Sequence, residues 1–126
     1  MARYDYLPIF KSAYTLCLNI YKITRNFNRE YKYTLGERMK ETSHRIVDLI
    51  IDTNSMGNDI KPVGIAKILL ETERLRIYSR IACDLKVFPI KHLGTIAEDL
   101  ENLEKQSGGW LKWLKSNSGS CYTHSC

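Results

Sequence analysis

The sequence predicts an all-α protein, an antiparallel up-down-up-down four-helix bundle. Three observations lead there. Four segments of roughly 16–25 residues repeat apolar side chains at alternating spacings of three and four, the mark of a helix with one buried stripe. The connections between them are short, so consecutive helices lie side by side with reversed direction. No stretch alternates at period two for long enough to compete as a strand. A chain of 126 residues with 44% apolar composition is expected to form one compact domain with a core of its own.

The first helix is expected from about Leu7 or Pro8 to Phe27, because proline is tolerated in a first turn where its missing N–H costs nothing. Ile9, Ala13, Leu16, Ile20, Ile23 and Phe27 form its stripe, and Phe10, Cys17 and Tyr21 widen it toward a second neighbour.

A hinge follows over Phe27–Glu37, read FNREYKYTLGE. Asn26, Asn28 and the Tyr31-Lys32-Tyr33 run break the helical period, so a turn falls there. Thr34-Leu35-Gly36-Glu37 has the capping-box pattern, with Thr34 as N-cap and Glu37 three residues on. Arg29 and Lys32 beside Tyr31 and Tyr33 suit contact with phosphate and stacking on bases, although a solvated loop would have the same composition.

The second helix runs from the Thr34 cap to about Asp52, on the stripe Leu35, Met39, Thr42, Ile46, Leu49 and Thr53. Thr53–Asp59 is the clearest loop. The third helix starts at Pro62 and Gly64 and reaches about Val87, with Ile65, Ile68, Leu69, Thr72, Leu75, Ala82 and Leu85 inward. Phe88-Pro89 stops it, since a residue before proline is pushed out of helical geometry. The fourth runs from about Ile90 to Lys105 on Leu93, Ile96, Ala97, Leu100 and Leu103. Gly108-Gly109 is expected to break it, and Trp110–Lys115 to follow as a short amphipathic piece. Residues 1–115 thus form the bundle with its Trp-containing segment, and 116–126 read as a disordered tail.

Composition excludes several classes. No apolar run approaches the roughly 18 residues needed to cross a bilayer. MARYDYLPIF lacks the pattern of a secretory signal, so a cytoplasmic protein is expected. Cys17 and Cys83 fall at core-compatible positions, and no disulfide framework is read. The net charge of +5 is modest, but it is segregated. Nine basic residues from Arg3 to Arg45 face Asp5, Glu30, Glu37 and Glu41, whereas Glu98, Asp99, Glu101 and Glu104 form an acidic run.

Catalytic and metal constellations fare poorly. Glu41 and His44 have the Glu-x-x-His spacing of di-iron bundles, but neither His92 nor His124 has a matching glutamate. Arg38 and His44, six apart, loosely match the arginine–histidine pair of small helical ribonucleases, yet stand about 120° off a common face. Cys121, His124 and Cys126 lack a fourth ligand. No metal, cofactor or catalytic residue is assigned. The candidate nucleic-acid contacts are instead basic: Lys22, Arg25, Arg29 and Lys32 around the hinge, and Arg74, Arg76 and Arg80 on the third helix, a continuous patch if the bundle brings them together. Trp110 and Trp113 are candidates for an oligomer or partner contact, or for a cap over the bundle's end.

Tyr33-Thr34-Leu35-Gly36-Glu37-Arg38 after a helix ending in Phe27, a long apolar–basic third helix and the closing Gly108-Gly109-Trp110-Leu111-Lys112 together resemble the accessory variability determinant (Avd) proteins of diversity-generating retroelements. The chain also resembles the broader four-helix proteins encoded in intervening sequences of ribosomal RNA genes. The resemblance covers roughly Leu7 to Lys115. It implies a ring- or barrel-like homo-oligomer, a pentamer, that binds RNA or DNA. It also implies association with an error-prone reverse transcriptase during mutagenic cDNA synthesis, without catalysis by the accessory protein. One departure is Asn28, where the family hinge commonly carries proline. Two other readings stay open on the residues: an interaction module of the intervening-sequence type that binds protein, and a small ribonuclease using Arg38 and His44.

Overall fold

The computed structural model describes residues 3–123, with side chains described over 3–117. Four long helices and one short one carry the chain: α1 Pro8–Thr24, α2 Arg29–Lys32, α3 Leu35–Asn54, α4 Lys61–Asp84 and α5 Ile90–Thr123. Among the described residues there is no strand. No described helix is long and apolar enough to cross a membrane.

Packing follows a closed order in which α1 lies against α3, α3 against α4, α4 against α5, and α5 against α1. Side-chain pairs fix each register. Cys17 meets Ser43 across α1–α3, and Asn54 at the end of α3 reaches the Arg3 carbonyl in the segment before α1. Arg45 meets Glu71 across α3–α4, Arg76 meets Glu104 across α4–α5, and Asn19 meets Asp99 across α1–α5.

Most of the core is the stripe set read from the sequence, although Leu35, Leu69, Leu93 and Ala97 of those stripes are only half-buried. Ile9, Ala13, Leu16, Ile20, Ile23 and Phe27 are all buried, as are Met39, Ile46, Ile65, Ile68, Leu75, Ile96, Leu100 and Leu103. Most buried hydroxyls are satisfied within their own helices, whereas those of Thr53 and Ser107 have no hydrogen-bond partner. Thr24, Thr42, Thr72 and Ser79 donate to the carbonyls of Ile20, Arg38, Ile68 and Leu75 at 2.7–2.8 Å, so they sit among apolar groups at little cost.

Several expectations are corrected. Tyr21 does not widen the α1 stripe; it is exposed. On α3 it is Ile50, not Leu49, that is fully buried. α1 stops at Thr24 rather than Phe27, and Phe27 reaches the core through the turn, edge-on to Phe88 with centroids 5.9 Å apart. Thr34 does sit at the N-cap of α3, but the capping box does not form. Its hydroxyl donates back to the Glu30 carbonyl at 3.0 Å, closing the short α2. Glu37 pairs with Lys40 instead, at 2.7 Å. Thr53 and Asn54 belong to α3, so the loop begins at Ser55.

The end of α4 differs in kind. The Val87 amide bonds the Ala82 carbonyl at 2.8 Å and the Lys86 amide the Cys83 carbonyl at 2.9 Å, the paired bonds of a Schellman turn. Lys86 takes φ 59° there, the left-handed conformation usually left to glycine. Leu85 falls in this turn and is exposed rather than inward.

α5 does not break at Gly108-Gly109 but continues to Thr123. Leu100, Leu103, Ser107 and Leu114 are buried and Trp110 packs on the core, so the three–four rhythm passes straight through the glycines. The helix thus enters the stretch expected as a tail, and residues 124–126 lie outside the described ones.

Candidate nucleic-acid interface

Because Leu16, Ile20 and Ile23 turn inward, the 100° step of the helix sends Leu18, Tyr21, Lys22 and Arg25 to the outer side of α1. The hinge folds Lys32 back toward them, and the start of α3 adds Lys40. The result is one open hollow. Leu18, Tyr21 and Thr24 give it apolar surface, and Lys22, Arg25, Lys32 and Lys40 give it four cations.

Tyr21 is the fixed point of this hollow. Its hydroxyl is hydrogen-bonded to His44 Nε2 at 2.7 Å, and the two rings meet edge-on, 5.5 Å apart at 80°. Lys40 Nζ lies 5.4 Å from the Tyr21 centroid while also paired with Glu37. The hollow therefore joins a tethered aromatic ring to a cationic margin, a combination that suits bases with their phosphates.

The residues expected to share one patch are divided. Lys22, Arg25 and Lys32 come together, and Arg29 lies exposed on α2. The α4 arginines face elsewhere. Arg74 is bonded to the buried Glu71 at 2.5 Å, and Arg45 reaches the same carboxylate at 3.2 Å. Arg76 is held between Glu104 at 2.5 Å and Glu73 at 3.5 Å. Partial burial works against its charge, but the two carboxylates outweigh that and raise its pKa above the ordinary arginine value. Arg80 is exposed on the same helix. The α1–α3 hollow and the Arg76–Glu104 bridge of α4–α5 lie on opposite sides of the four-helix order.

The sequence does not single out Tyr21 or Lys40 as site residues, and it marks His44 only for the Glu-x-x-His spacing and the ribonuclease pair. The available signal was that Tyr21 belongs with exposed Leu18 and Lys22 rather than with the α1 stripe. The joining of Lys32 and Lys40 to α1 depends on how the hinge folds.

The remaining candidates separate. Arg38 lies over the Tyr78 ring at 5.8 Å, toward α4, whereas His44 is bound to Tyr21 on α1. The pair weighed for a ribonuclease is therefore turned to different neighbours. Among the described residues no group of three or more His, Cys, Asp or Glu side chains is placed to hold a metal ion. Cys121, His124 and Cys126 lie outside the described side chains. The two tryptophans part company: Trp110 packs on the core, 6.0 Å from Lys61 Nζ, while Trp113 is 52% exposed.

A protein-family model described as bAvd-like matches residues 8–114. The chain belongs to the bAvd-like family. The matched span starts at the first residue of α1 and ends at Leu114, the last buried side chain described on α5. In this bAvd-like protein the family region and the packed bundle therefore coincide. No curated protein sequence matches the chain.

Proposed function

We propose that this bAvd-like protein is a non-catalytic accessory protein that binds nucleic acid and associates with a retroelement reverse transcriptase and its template RNA, supporting mutagenic cDNA synthesis. The observation that carries the nucleic-acid part is the gathering of Lys22, Arg25, Lys32 and Lys40 around one hollow. The family match supports the accessory role. Arg29, Arg74, Arg76 and Arg80 are secondary contacts in this reading, the last three added by a neighbouring copy.

The pairings Cys17–Ser43 and Arg3–Asn54 support helices that alternate in direction, an antiparallel bundle. Subunits of this kind assemble into a ring-like homo-oligomer, a pentamer. Exposed Val63, Leu70, Ile77 and Ile81 along α4 favour burial against another copy, and Trp113 is a further contact. A ring repeats a modest charge per chain into a strong field.

The test is fluorescence anisotropy of a labelled RNA at low and moderate salt, with the RNA run on a gel afterwards. Steeply salt-dependent binding that leaves the RNA intact is expected. Lys22→Glu with Arg25→Glu should weaken it more than Arg74→Glu with Arg80→Glu. Absence of binding at low salt overturns the reading and leaves the second one, a protein-interaction module, which the same apolar face of α4 favours.

A further inference from the structure

We propose that the α1–α3 hollow selects single-stranded over duplex nucleic acid, taking one unstacked base against Tyr21 while Lys22, Arg25, Lys32 and Lys40 hold the adjoining phosphates. This rests on the nucleic-acid reading above and assigns it a site and a strand class.

The argument starts from what the hollow offers besides charge. A purely phosphate-binding face needs cations on a polar surface, and a duplex would satisfy it. Here the cations surround apolar surface from Leu18 and Tyr21, both 45% exposed. Duplex bases keep their faces stacked inside the helix, so only an unpaired strand can bring a base face to that surface.

Tyr21 is also held ready. Its hydroxyl is anchored by His44 at 2.7 Å, so little side-chain freedom is left to lose when a base arrives. Lys40, 5.4 Å from the ring centroid, sits where a base would stack, and its flexible stem lets the ammonium move from the ring to a phosphate. The exchange replaces a cation on the ring by a base on the ring, with the cation still close by.

The experiment uses the full chain, a labelled mixed-sequence single-stranded RNA, and the same strand annealed to its complement. Wild-type protein is expected to bind the single strand at least about tenfold more tightly than the duplex. Tyr21→Ala should weaken single-strand binding about tenfold, leave duplex binding unchanged, and leave the slope of log affinity against log salt unchanged, since no phosphate contact is lost. Arg25→Glu should instead flatten that slope for both ligands. Tyr21 is exposed, and circular dichroism of each variant checks the fold. Equal binding of single strand and duplex, or unaltered single-strand affinity in Tyr21→Ala, overturns this proposal while the nucleic-acid reading survives. No binding of either RNA at low salt overturns both.

Discussion

Gly64 of α4 lies flush against Thr53 of α3: a β-carbon on Gly64 would stand 2.8 Å from Thr53 Cγ2 and closer still to its hydroxyl oxygen. Replacing a helical glycine by alanine ordinarily stabilises by up to about 1 kcal/mol. Here the sign reverses, because the contact is with the branched end of a buried side chain. Gly64→Ala is expected to destabilise by about 1–3 kcal/mol in urea unfolding. Thr53→Ala in the same chain should recover only part of that loss, because the residue-53 β-carbon stays 2.9 Å from the added one; a double-mutant cycle would measure the coupling. Thr53→Ala would also remove a buried hydroxyl that has no hydrogen-bond partner.

Gly108 and Gly109 make the opposite case. A β-carbon at either position meets nothing within 4 Å. Gly108→Ala and Gly109→Ala are each expected to stabilise by about 0.5–1 kcal/mol, read as a raised thermal midpoint.

Lys86 occupies a left-handed position at the end of α4 with φ 59°. Lys86→Gly relieves the β-carbon clash, against a less ordered unfolded chain and loss of a cation at a helix C-terminus. A net stabilisation of about 0.5 kcal/mol is expected by chemical denaturation.

Glu71, 5% exposed, joins α3 to α4 by accepting from Arg45 and Arg74. Both arginines are about half exposed and can rehydrate when the carboxylate is lost. Glu71→Ala should therefore cost about 1–2 kcal/mol rather than the larger loss of a fully buried pair. Glu71→Gln, which keeps the volume and one acceptor, should cost less. Urea unfolding of both variants orders them.

Trp113 is exposed while Trp110 packs on the core. Trp113→Ala should leave the unfolding midpoint nearly unchanged and lower the oligomeric mass seen by light scattering, whereas Trp110→Ala should lower the midpoint and cost about 2–4 kcal/mol of stability. An unchanged mass for Trp113→Ala removes that residue from the interface.

What was legible in the sequence is what repeats locally. The α1 stripe was readable in full because six apolar residues keep the helical rhythm without interruption. The α5 extension was missed because glycine was weighed by its local propensity, and Ser107, a buried small polar residue, hid the continuing stripe. Leu85 looked inward by period, but the left-handed turn at Lys86 ends the helix before that period applies. The hollow was legible only in part. Lys22 and Arg25 are neighbours on one helix face, whereas Lys32 and Lys40 reach them only through the fold of the hinge.

The order of packing has a kinetic consequence. α1 meets α3, α3 meets α4 and α4 meets α5, so each long helix docks on the one made before it, and α1 against α5 is the principal contact between distant stretches of chain. Loop closure is therefore inexpensive until the last step, and folding on the microsecond-to-millisecond scale of local-contact helical proteins is expected. During synthesis the first three long helices can associate before α5 exists. Docking of α5, signalled by the Asn19–Asp99 hydrogen bond, then closes the core as the final event.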